Sequence, residues 1–224
     1  MRKINLVLCI LAATFIFMGC TKNRTTSLDN SGSSEGTGIV TKDTDSKDVV
    51  TPTDIAMNNF FLPDGSKAHY QGEGNEFAEL DIEVAHPYED YVIIYENNGG
   101  SFVRYIYKIE HDEILILDKQ IVEEKADFPS QSELEAMTST SIYLKAPFQK
   151  GTTFDDWTIV DTDITLATPY QTFDHVFVIE QQEDSIINRK YFAEGFGEVK
   201  RESIMTTVDG GKYIVTSTLE TVNQ

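Results

Sequence analysis

From Ala78 to Val84 the chain reads apolar and acidic in strict alternation: Ala78, Leu80, Ile82 and Val84 against Glu79, Asp81 and Glu83. A period of two cannot be a helix stripe. It is a strand with one face buried and one in water. Val103, Tyr105, Tyr107 and Ile109 repeat the pattern against Arg104, Lys108 and Glu110. Tyr91–Tyr95 and Ile114–Leu117 are short, nearly continuous apolar runs, which predicts strands covered on both faces. Further strands are expected at Ser141–Lys145, Asp156–Asp161, Thr172–Glu180, Ile186–Ala193, Val199–Val208 and Lys212–Thr221.

The connections are short and carry turn chemistry. Asn97-Asn98-Gly99-Gly100 and Asp209-Gly210-Gly211 each separate two strands. Asn and Gly accept the positive φ of tight hairpins. Gln182-Glu183-Asp184 and His111-Asp112 are further turns. The spacing between turn signals is too short for crossover helices, so the sheet is expected to be mostly antiparallel. One helix is expected, at Ser132–Met137, with Ser130 and Glu133 spaced as a capping box. About ten antiparallel strands do not stay flat. The expectation is an all-β fold, mainly antiparallel: a strongly curved sheet, a partial barrel or a two-layer β domain, with at most one or two short helices.

The N-terminus has another texture. Arg2 and Lys3 precede Ile4–Met18, an uncharged and mostly apolar run. That is an export-signal layout, too short for a membrane-spanning helix of about 20 residues. It ends Phe17-Met18-Gly19-Cys20 and resembles the bacterial lipoprotein signal, with a small residue directly before the cysteine. Phe17 and Met18 stand where the pattern has Leu and a smaller residue. The resemblance implies diacylglyceryl modification of Cys20 and removal of 1–19. It also implies anchoring on the extracytoplasmic face of the cell membrane, stable because two acyl chains insert.

Residues 20–54 then form the modified cysteine and a Ser/Thr/Gly/Asp-rich tether without aromatics. At the reach of a flexible chain it spans about 30 Å. Residues 55–224 are the β domain. The chain has two cysteines, Cys9 and Cys20. One is lost with the leader and one is lipidated, so no disulfide is expected in the domain. Removing Arg2 and Lys3 leaves 16 basic against 37 acidic residues, a net charge near −21. Nucleic acid is thereby excluded as a partner.

Three motifs look familiar together. Ala146-Pro147-Phe148-Gln149-Lys150-Gly151, followed by Trp157, is one. Thr168-Pro169-Tyr170-Gln171-Thr172-Phe173 is the second. Tyr191-Phe192-Ala193-Glu194-Gly195-Phe196-Gly197-Glu198-Val199-Lys200 is the third. They resemble a loose group of uncharacterised, secreted or lipid-anchored bacterial proteins with a strongly curved antiparallel sheet. The resemblance implies the fold and no activity.

Catalytic signatures are absent: no GxSxG, no HExxH and no free cysteine in the domain. His69, His86, His111 and His175 show no ligand spacing, so neither a metal nor any other cofactor is expected. Tyr105, Tyr107, Trp157 and Phe196 are the candidate ligand contacts, with packing in the core as the alternative for each. Gly195 and Gly197 are expected to relieve a bend or bulge. The function expected is non-enzymatic: a membrane-anchored module that binds an unidentified ligand or protein of the cell envelope. Two alternatives are a hydrophobic-ligand or lipid carrier on the curved sheet, and a carboxylate-dependent hydrolase of wall polysaccharide. In the second, Glu79, Asp81, Glu83, Asp155, Asp156, Asp161 or Asp163 would supply the acid and base.

Overall fold

The computed structural model describes residues 56–224. The leader, Cys20 and the tether at 21–54 lie outside the described residues. A 3-10 turn, Met57–Phe60, opens the domain. The first five strands are β1 (Lys67–Glu73), β2 (Leu80–Tyr88), β3 (Tyr91–Asn97), β4 (Phe102–Ile109) and β5 (Glu113–Ile121). Helix α1 (Gln131–Ala136) follows, then β6 (Ser141–Lys145), β7 (Thr153–Phe154), β8 (Trp157–Ala167) and β9 (Thr172–Glu183). Strands β10 (Ile186–Ala193), β11 (Gly197–Thr206) and β12 (Lys212–Asn223) close the chain.

All twelve strands form one antiparallel sheet, in the order β6-β5-β4-β3-β2-β1-β12-β11-β10-β9-β8-β7. Its two edges come back toward each other: the Ile142 N–H in β6 donates to Asp155 Oδ2 beside β7, at 2.7 Å. The sheet is thus a nearly closed barrel, which selects the partial barrel among the three forms expected from the sequence. The count exceeds the expected ten because β1, whose Lys67–Glu73 stretch is mostly polar, and the two-residue β7 leave no apolar pattern to read. The expected strand at Asp156–Asp161 runs on to Ala167, its regularity broken by register shifts against β9. Helix α1 forms where the capping box points, with both reciprocal Ser130–Glu133 bonds in place.

The two faces of the sheet are covered differently. Outside, Tyr91, Ile93, Tyr95, Ile106 and Leu117 form a cluster capped by Leu134 of α1, which is fully buried. This explains the uninterrupted apolar runs of β3 and β5. Inside, an aromatic core fills one end of the barrel. Phe60 stands edge-on to Phe148 at 4.7 Å and to Phe177 at 5.4 Å, and Phe177 stacks on Phe192 at 5.3 Å. Phe61 packs on Tyr107 and Tyr143. The chain before β1 therefore enters the barrel as a plug.

Gly197 makes the plug possible. It has φ +78°, and a Cβ there would overlap the carbonyl oxygen of Phe60. Gly195 lies in the β10–β11 turn at φ +81° and its N–H donates to Asn59 O at 2.7 Å. The expected bend is thus a hairpin turn, with Ala193 facing Gly197, and one of its glycines is there for close approach as well.

Candidate functional site

Followed along each strand, the inward rows change from apolar to polar. In β3 the row is Val92, Ile94, Glu96; in β9 it is Phe177, Ile179, Gln181. In β10 it is Phe192, Lys190, Asn188; in β11 it is Val199, Arg201, Ser203. The core stops where the polar residues begin, and a lumen remains above it. The first compartment has a volume of about 410 Å³, within the range of small-molecule sites. A second, of about 300 Å³, continues it. Glu96, Trp157, Gln181, Lys190 and Arg201 line both.

A charged belt crosses the lumen at this level. Arg201 grips Glu96 with both terminal nitrogens, Nη1 to Oε1 at 3.1 Å and Nη2 to Oε2 at 2.9 Å. Its Nε donates to Glu198 Oε1. Lys190 Nζ lies 3.1 Å from the other oxygen of Glu198 and over the rings of Tyr143 and Trp157, 5.0 and 5.7 Å from their centroids. The Tyr70 hydroxyl donates to the Glu198 carbonyl at 2.6 Å. The Tyr143 hydroxyl reaches Glu198 Oε2 at 3.5 Å.

Burial disfavours the Glu198 carboxylate, but the charges of Arg201 and Lys190 outweigh it and hold the group below the usual carboxylate range. Burial likewise works against the Arg201 charge; Glu198 and Glu96 reverse this and raise it. Tyr105 is pushed up to about 12, first by burial and then by Glu96. Tyr107 and Tyr143 are raised further, again by burial first. All three phenols remain hydrogen-bond donors at neutral pH.

The structure brings Tyr105, Tyr107, Trp157 and Phe196 to the wall of the first compartment. Tyr105 and Tyr107 stack at 5.9 Å. Tyr107 is buried against the core, whereas Tyr105 and Trp157 are half-buried and present surface to the lumen. Among the described residues the hydroxyls of Tyr105 and Tyr107 have no hydrogen-bond partner, and neither belongs to the buried atoms left unpaired. The row Glu79, Asp81 and Glu83 lies elsewhere: Glu79, just before β2, and Asp81 are exposed, and Glu83 is half-buried. Asp155 and Asp156 lie at the lumen rim. Among the described residues no cluster of His, Cys, Asp and Glu is placed to hold a metal ion, and no helix is long and apolar enough to cross a membrane.

The belt itself went unseen in the sequence. Glu198 and Arg201 are three residues apart, which in a regular strand puts them on opposite faces. Tyr191 opposes Lys200 while Phe192 opposes Glu198, so β11 holds one extra residue between them. This bulge re-phases the strand and turns both charges inward. The only signal available was the Gly-Phe-Gly preceding Glu198.

No family model matches the chain, and no curated protein matches it. Two solved structures resemble it. One, from Bacteroides fragilis NCTC 9343, is described as exported with a YmcC-like fold; it is 14% identical, with 74% of this chain and 98% of that chain covered and a TM-score of 0.46. The other, from Parabacteroides distasonis ATCC 8503, is described as a lipoprotein; it is 14% identical over the same shares, with a TM-score of 0.44. Likenesses this distant bear neither on the site nor on what the chain does.

Proposed function

We propose that the protein is a lipid-anchored, extracytoplasmic binding module that takes a small molecule into the lumen of its half-filled barrel, without catalysis. The observation that carries the reading is the lumen itself. Twelve strands surround a space that the core fills at one end only, and the remaining wall combines aliphatic and aromatic side chains, Ile94, Ile116, Ile142 and Trp157 among them, with the hydrogen-bonding and charged groups of the belt. A barrel selected for stability alone would fill that space, since voids forfeit packing energy. Its anchoring rests on the leader and Cys20.

Two features favour binding over the alternatives. A lipid carrier needs a continuous apolar concavity, and here the apolar wall of the lumen is interrupted by the charged belt of Glu96, Glu198, Arg201 and Lys190. A carboxylate hydrolase needs one carboxyl raised into the acid role. Glu198 is shifted the other way, and its oxygens are engaged by Arg201 and Lys190.

The test is thermal. A bound ligand stabilises the folded state by mass action. Protein as isolated from cells should melt higher than protein unfolded in guanidinium, dialysed and refolded, and the dialysate should restore the difference. Identical melts in all three samples would overturn the reading. For the anchor, Cys20→Ala should leave unprocessed precursor without lipid label; normal maturation of that variant would contradict it.

A further inference from the structure

Two properties of the lumen narrow its ligand, given that it is a binding site. The first is charge. The belt contains two carboxylates, Glu96 and Glu198, and two cations, Arg201 and Lys190, in direct contact. It is balanced as it stands. An ionised ligand at that level would leave one of these groups uncompensated in a partly desolvated place, which is costly. A long alkyl chain would have to lie across the belt, where burying charge against hydrocarbon is worse still.

The second is hydrogen-bonding capacity. The phenols of Tyr105 and Tyr107 line the lumen and make no hydrogen bond among the described residues, so each has a donor to offer. The Glu96 and Glu198 carboxylates keep acceptor capacity beyond the bonds they make, because an ionised carboxylate has about four lone-pair sites. Donors and acceptors therefore both border the aromatic faces. A ring that carries hydroxyls at its edge and C–H groups on its faces meets all three: hydroxyls both give and accept, and the apolar faces pack on Tyr105 and Trp157. The second compartment continues with the neutral amides of Asn98, Gln181 and Asn188 and with Arg189 and Glu202, each already paired, with Glu180 and Lys200 respectively.

From this we infer that the lumen takes an uncharged saccharide, long enough for its rings to occupy both compartments and pass the belt at Glu96 and Arg201. The inference rests on the lumen being a binding site. Trp157 is the sole tryptophan of the chain and lines both compartments, so its emission reports occupancy directly.

The experiment titrates the full chain, stripped of ligand by unfolding and refolding, and follows Trp157 emission. Three probes are used: neutral oligosaccharides released from the producing cell's envelope, the acidic pool separated from them by anion exchange, and palmitate. The neutral pool should change the emission saturably while the other two do not. Tyr105→Ala should weaken the response about tenfold, the loss expected for one stacking aromatic. Gln181→Ala, at a site that carries no core packing, should weaken it as well and guards against a folding defect in the first variant. Saturation by the acidic pool or by palmitate alone would overturn the saccharide and leave the binding site standing. A neutral response that neither variant alters would overturn it by placing the sugar elsewhere. Silence from all three probes would overturn it too, and silence together with unchanged melts on stripping would remove the binding site as well.

Discussion

At the scale of single residues, the domain depends on a few close approaches and one charge network. Gly197 combines positive φ with the proximity of the Phe60 carbonyl. Gly197→Ala should destabilise the domain by roughly 2–4 kcal/mol, since left-handed strain costs about 1–2 kcal/mol and the plug must also shift. Gly65 shares the backbone, at φ +80°, but has nothing within 4 Å. Gly65→Ala should cost only the strain, about 1 kcal/mol. Urea denaturation of the pair checks this, and equal losses would contradict the plug.

Glu198 gives a pH dependence. Its carboxyl is held below the ordinary value, so its stabilising effect is complete above the unfolded carboxylate value of about 4.3 and is lost as pH falls through the lower folded value. Glu198→Gln should therefore cost about 3 kcal/mol at neutral pH, by leaving Arg201 and Lys190 short of a partner. The penalty should shrink as the pH drops below about 4. A penalty independent of pH would show that the carboxylate charge is irrelevant.

At the scale of elements, α1 has a single buried anchor. Leu134 is the one side chain through which the helix closes the outer cluster of β3, β4 and β5. Leu134→Ala should cost about 3 kcal/mol in urea denaturation and leave the Trp157 emission unchanged, because the cluster lies on the face opposite the lumen. A shift in that emission would mean the two faces are coupled.

The elements also show how much the sequence tells and why it stops. Wherever a strand kept its phase, alternation located it: the Ser141–Lys145 and Ile186–Ala193 expectations match β6 and β10 end to end, and the Ser130–Glu133 box marked α1. Tyr105, Tyr107, Trp157 and Phe196, readable in the sequence as ligand contacts or as core packing, line one cavity, with Tyr107 also buried in the core. The charge belt was hidden by the bulge before Lys200, which rotates Glu198 into register with Arg201. Glu96 was hidden differently. It ends an inward row that reads Val92, Ile94, Glu96, and a terminal acid beside a turn looks like a solvated strand end. The plug was illegible because Phe60 and Phe61 follow a tether and have no periodic neighbours.

At the scale of the whole molecule, one sheet does two jobs. Its curvature brings β6 and the β7 edge together, which leaves little free edge for association with other chains. The same curvature encloses a volume larger than the core residues fill. The acidic exterior keeps the domain soluble, while the cations Arg201 and Lys190 are reserved for the interior belt. A barrel that keeps an open, partly polar lumen beside its core is the basis of the proposed binding role.

The most direct measurement is native mass spectrometry of residues 51–224, exported by the producing cell and purified without detergent. The account predicts a discrete excess mass that disappears when the protein is unfolded, and that Tyr105→Ala and Gln181→Ala carry less of it. A clean mass, equal to the polypeptide alone and with no excess in the variants either, would contradict a lumen that binds.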